Sequence, residues 1–308
     1  MEIKTIRKGP LGQCMYCEDN HPPLTNEHIM SRGLNGEWLL LQSTCNACKK
    51  KIDTFETPVL KSGWLSDPRL AMGFRSYNAK GQPTHIKMTF IGNNERKFTA
   101  YVPKESAVAL ISMPSLIPAR FLTSSLALRA TDGFEMYGTI DAPVYRGVVD
   151  EDGQPRPERL SHFINELRRL YGASGIDLTA SVKPPQFIRF LCKIAHGFHV
   201  WERGMFPLKE SPAIELLMAR RTDYSNWVGG KDTAPSNEER RPLHEVTIED
   251  VVTKSGMHCT LVNIALFNSL GPNFAYQVVT RAPGWQEHVI DVTSEHRPKG
   301  DIHLVTAL

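Results

Sequence analysis

Two cysteine pairs near the start of the chain are the residues best placed to do chemistry. Cys14-Met15-Tyr16-Cys17 and Cys45-Asn46-Ala47-Cys48 are CxxC knuckles. A CxxC turn puts two sulfurs on one side of a tetrahedron, so two such turns complete a Zn²⁺ site of four thiolates without further help. A thioredoxin-like redox role needs only one CxxC, set between a strand and a helix, and these neighbours do not offer that context. So short a module cannot bury enough apolar core alone, and a structural metal makes up the deficit. Between the knuckles lies Leu24-Thr25-Asn26-Glu27-His28-Ile29. An adjacent acid and imidazole suit nucleic-acid hydrolysis: the carboxylate holds a hard cation, and an imidazole neutral near pH 7 is a competent base for water. On a regular strand the two side chains point to opposite faces, so joint action requires a strand end or a bend.

The elements that must position these groups follow from periodicity. Residues 1–60 are rich in Cys, Gly, Asn and Lys with short apolar runs, and residues 61–308 form a larger body. Alternation over Thr84–Val102, broken at Gly92-Asn93-Asn94, predicts a hairpin. Helical spacing recurs over Glu158–Leu170, and a second helix is expected from Pro184-Pro185 through Trp201, ending before Gly204. Ile214–Arg221 reads as a shorter helix and the polar Gly229–Arg241 stretch as a surface loop. His244–Ile248, Cys259–Phe267 and Phe274–Thr280 read as strands. Cys192 and Cys259 sit in apolar runs and are expected to be core thiols. His196, His199 and Glu202 share a helix face, but packing explains them better than a second metal site.

The chain has 308 residues, 41% of them hydrophobic, and a formal net charge of +3. Such a chain has a packed core, and so mild a charge neither announces nor excludes a nucleic-acid partner. No apolar run reaches the roughly 18 residues of a membrane span, and the start of the chain carries no apolar leader segment. The expectation is a soluble cytoplasmic protein with no membrane partner. Neither a nucleophile-elbow serine nor a phosphate-binding glycine loop is present, which leaves serine hydrolases and nucleotide hydrolases without support.

The order CxxC, Glu27-His28-Ile29, Gly33-Leu34-Asn35-Gly36 and a second CxxC opening a Lys-rich helix resembles the HNH endonucleases, in the four-cysteine form found in bacteria. The strong motifs cover residues 14–56. The resemblance implies a ββα-metal, treble-clef-like finger that hydrolyses a phosphodiester bond with one Mg²⁺ or Mn²⁺. It makes His28 the general base and Glu27 a metal ligand, with Cys14, Cys17, Cys45 and Cys48 holding a separate, structural zinc. Three positions depart from the family pattern. Lys49 stands where many members carry Asn or His after the last cysteine, Asn35-Gly36 replaces Gly-Gly, and Met30-Ser31 replaces the proline after His-Ile. With a helix starting near Cys45, Lys49, Asp53 and Glu56 line one face, so Asp53 or Glu56 is the candidate for the missing ligand and a salt link to Lys49 the alternative. Lys49-Lys50-Lys51 either contacts backbone phosphates or forms a solvated helix face.

The sequence thus predicts an α+β protein, with a zinc-knuckle nuclease module over residues 1–60 and an α+β body over residues 61–308 to which the residues assign no role, substrate positioning and regulation being the candidates. The expected activity is metal-dependent hydrolysis of DNA, and phosphodiester chemistry of this kind serves RNA as well. The alternative is a catalytically degenerate zinc-knuckle protein that binds nucleic acid or regulates.

Overall fold

The computed structural model describes residues 5–21, 23–62, 65–66, 69, 74, 84–92, 94–103, 112–114, 116, 118–123, 134–136, 143–149, 155–180, 183–233, 242–253, 255–268, 274–287 and 302–307. The protein is α+β with small sheets, and it divides into two compact units. One gathers Met1–Val59, Ser115–Gly133 and Lys183–Pro298; the other gathers Leu60–Pro114, Phe134–Val182 and Lys299–Leu308.

The first unit opens with a three-stranded sheet of β1 (Ile6–Lys8), β2 (Leu24–His28) and β3 (Trp38–Cys45), followed at once by helix α1 (Asn46–Lys61). β3 is central, parallel to β1 and antiparallel to β2. The β2–β3 register runs Leu24↔Cys45 and Thr25↔Thr44, then slips, resuming as Glu27↔Leu40 and His28↔Leu39. Gln42 takes the slack at φ 45, its amide donating to Asn26 Oδ1 at 3.0 Å. In the turn between the strands Asn35 is left-handed at φ 63, a conformation asparagine tolerates. Gly36 is required there, because a Cβ would lie 2.1 Å from the Met30 carbonyl oxygen.

Helix α2 (Pro184–Arg203) starts on a proline at its first turn and ends at Gly204, φ 82, as its punctuation predicts. Phe187, Ile188 and every residue from Phe190 to Trp201 are buried, the pattern of a helix enclosed on all sides. Toward the first three strands, Trp38 lies 5.2 Å from Phe198 and 6.3 Å from Trp201 between ring centroids, and Lys8 Nζ donates to the Trp201 carbonyl. Gly197 lets the helix lie against Ile29, whose Cδ1 would be 3.1 Å from an added Cβ. On its other side α2 packs on a sheet, with Phe187 edge-on to Tyr276 at 5.2 Å. α2 also packs on α3 (Pro212–Leu217), which is capped by the Ser211 hydroxyl accepting from Ile214 N at 3.2 Å.

That sheet is fully antiparallel, in the order β4 (Val228–Asp232), β7 (Phe274–Arg281), β6 (His258–Ala265), β5 (Glu245–Val252). The strands expected after residue 243 form as read. The expected loop over Gly229–Arg241 is corrected at its start: Gly229-Gly230-Lys231-Asp232 is edge strand, because β7 supplies the ladder partners that its composition does not advertise. Residues 234–241 lie outside the described residues.

In the second unit the predicted hairpin forms from His85–Gly92 and Lys97–Pro103, with Phe90 stacked on Phe98 at 5.4 Å. Ala173–Ala180 pairs with the first of these strands and Ile302–Ala307 with Ala173–Ala180, while the helix Leu160–Tyr171 brings Tyr171 onto Phe90 at 5.2 Å. In the first unit, Cys192 and Cys259 are buried, as core thiols should be, and burial pushes both thiols up. Among the described residues no helix is long and apolar enough to cross a membrane.

Candidate functional site

The four knuckle cysteines come together although their pairs lie far apart in sequence. Cys14 and Cys17 sit in the turn after β1, Cys45 ends β3 and Cys48 is in the first turn of α1. Their sulfurs all lie within 4.8 Å of one another, and Cys17 Sγ is 3.8 Å from Cys45 Sγ. Sulfurs about 2.3 Å from a tetrahedral Zn²⁺ stand roughly 3.8 Å apart, so the donor set and its spacing fit zinc. The cluster could hold such an ion, and among the described residues it is the one group of three or more Cys, His, Asp or Glu side chains close enough to share a metal. The Cys48 thiol, hydrogen-bonded to Cys14, holds it down at about 5 against the opposing pull of burial, while burial pushes Cys17 up to about 11. Metal binding therefore releases protons from this site.

Beyond the knuckles, the end of β2 meets α1 and α2. Glu27 is buried, and His28, the last residue of β2, is half-buried. Glu56 reaches in from α1, where the Ser31 hydroxyl donates to its Oε1. Between the two acids lies the ammonium of Lys193, 2.9 Å from Glu27 Oε1 and 3.1 Å from Glu56 Oε1, on a side chain only 1% exposed. The same Nζ donates to the carbonyl of His28 and, at 3.3 Å, to that of Ile29. Thr44 Oγ1 lies 3.4 Å from Glu27 Oε2.

Electrostatics sort these groups. Burial raises Glu27, with Lys193 pulling the other way. Burial also works against Glu56, yet Lys193 and the Ser31 hydroxyl hold it below the usual carboxylate range. Lys193 is desolvated, but the two carboxylates more than offset this and keep it charged. Burial, then the nearby charges of Lys193 and Arg32, lower His28 to about 4, so its imidazole is neutral at pH 7. Its Nδ1 is buried and bonded to no protein group.

The structure thus brings Glu27 and Glu56 together on Lys193, which also bonds the main-chain carbonyl of His28. Asp53, also on α1, is exposed and outside the cluster. Lys49, Lys50 and Lys51 are exposed and form a basic start to the helix. His196 is buried and donates from Nε2 to the Met15 carbonyl at 2.8 Å, tying α2 to the first knuckle. His199 Nδ1 meets Thr280 Oγ1 at 2.7 Å, so both histidines pack and bond rather than gather around a second metal. Sequence reasoning did not single out Lys193. Its signal is a lone lysine amid apolar residues of a helix, since a fully buried lysine is rare unless paired.

No family model, no curated protein and no solved structure matches the chain.

Proposed function

We propose that the protein is a divalent-metal-dependent endonuclease of the HNH kind that hydrolyses phosphodiester bonds in DNA, on a treble-clef-like ββα element scaffolded by zinc. The observation that carries this reading is the convergence of Glu27, from the end of β2, and Glu56, from α1, on one ammonium that also bonds the His28 carbonyl, beside a His28 imidazole that burial keeps neutral. Two carboxylates suit Mg²⁺ or Mn²⁺, hard cations that prefer oxygen. Two acids and one ammonium also leave a net charge of −1, so the cluster still attracts a further cation. Glu27 and Glu56 would hold it, and once bound it would act as a Lewis acid on the scissile phosphate. His28, with an unclaimed ring nitrogen, takes the proton from the attacking water. Ser31 orients the Glu56 carboxylate, and Lys49, Lys50 and Lys51 contact backbone phosphates, adding affinity without reading sequence.

A second reading is supported by one specific observation. Lys193 already supplies a cation to both acids, as a zinc-knuckle binding protein without a catalytic metal would require. Supercoiled plasmid incubated with the zinc-loaded protein and Mg²⁺ or Mn²⁺, beside His28→Ala, separates the two. Nicking or linearisation by wild type, reduced at least about 100-fold in the variant, supports the nuclease. Retention of plasmid or single-stranded RNA in a gel shift, with neither substrate cut, refutes it in favour of the binding protein.

A further inference from the structure

The body contributes to this site through α2, and the contribution is one residue. Lys193 lies a full turn before Gly197, whose missing side chain lets α2 approach Ile29. At that approach the Nζ reaches four oxygens from two other elements: the carboxylates of Glu27 and Glu56 and the main-chain carbonyls of His28 and Ile29. A lysine buried this deeply is tolerated because every contact is an oxygen and two are anionic. The arrangement does more than join α2 to the hairpin. Left to themselves, two buried carboxylates repel and turn apart. The ammonium holds Oε1 of each, so that Glu56 Oε2, and Glu27 Oε2 beside the Thr44 hydroxyl, can face a second cation, and its bond to the His28 carbonyl fixes the backbone that carries the imidazole.

We infer that Lys193 is a positioning residue of the hydrolytic site: it holds the Glu27 and Glu56 carboxylates convergent and the end of β2 in place, so that divalent metal meets a preformed pair of ligands. This rests on the nuclease reading above. Lys193 touches neither metal nor substrate; it acts through the acids. The residues 1–60 module is therefore incomplete without α2.

The test is Mn²⁺ binding to the full-length, zinc-loaded chain, followed by the electron paramagnetic resonance signal of free Mn²⁺, for wild type, Lys193→Met, Lys193→Arg, Glu27→Gln and Glu56→Gln. Zinc content and far-ultraviolet circular dichroism must match wild type in each variant scored. Wild type is expected to bind Mn²⁺ at a site lost in both glutamine variants. Lys193→Met is expected to bind it about 10- to 100-fold more weakly, the usual effect of losing a group that orients metal ligands. Lys193→Arg, which keeps the charge, is expected to recover part of that loss. Should Lys193→Met not retain zinc, Lys193→Gln carries the same expectation, since its amide still donates to the carbonyls without the charge. Affinity equal to wild type, or tighter, would mean that the ammonium is a plain structural link or competes with metal; that overturns the role of Lys193 and leaves the nuclease reading standing. Wild type with no Mn²⁺ site sensitive to Glu27→Gln or Glu56→Gln overturns the metal reading, and the Lys193 role falls with it.

Discussion

Lowering the pH should loosen the joint between α2 and the first cysteine knuckle, with His196 as a measurable part of the cause. Its side chain is fully buried, its Nε2–H is committed to the Met15 carbonyl, and its Nδ1 has no partner. Burial lowers it from an ordinary value of 6.5 to about 4, with the Met15 bond opposing. A base whose folded value is depressed binds its proton more readily when unfolded, so stability is full above about pH 6.5 and is lost as pH falls from there toward 4. Between pH 7 and pH 5 the loss from this one group is about 2 kcal/mol, from the ratio of proton occupancies in the two states. Urea denaturation followed by tryptophan fluorescence, at both pH values, measures it against His196→Gln, whose amide still donates to Met15 but does not titrate. Zinc loss and carboxylate titration affect both proteins alike and cancel in the comparison. Wild type should lose about 2 kcal/mol more than the variant over this interval. Equal losses would refute the buried, neutral histidine and the reasoning from desolvation.

Two further outcomes are expected. Gly36→Ala should destabilise the protein by about 2 kcal/mol or more, read as a lower urea midpoint, because its Cβ would overlap the Met30 carbonyl 2.1 Å away and displace the turn carrying Ser31. Cys48→Ser should reduce bound zinc from one per chain to well below one by atomic absorption, and hydrogen exchange in β2 and β3 should rise sharply. A structural zinc contributes roughly 10 kcal/mol or more to so small an element.

Several features were legible because local rules govern them. The hairpin over His85–Pro103 declares itself by alternation, and α2 by a proline at its start and a glycine at its end. The thiolate cluster follows from two short turns whose geometry is nearly fixed by their spacing. Glu27 was readable from its place between the knuckles, and Glu56 because helix periodicity put it on a candidate face. Periodicity could not choose between Asp53 and Glu56: both satisfy the spacing, and only the packing of α1 against its neighbours leaves Asp53 exposed and Glu56 half-buried. Edge strand β4 was illegible for a related reason, since two glycines, a lysine and an aspartate become strand only when β7 lies beside them.

The sequence by itself determined the four thiolates, the acid–imidazole pair and the helix that follows the second knuckle, all features of residues close along the chain. Tertiary structure decided what surrounds them. Lys193 reads as one charge in an apolar helix until α2, lacking a side chain at Gly197, settles against Ile29 and brings the ammonium between two acids from elsewhere. Burial then makes that choice consequential, because removing water strengthens the attraction among these groups and turns a remote lysine into the partner of Glu27 and Glu56.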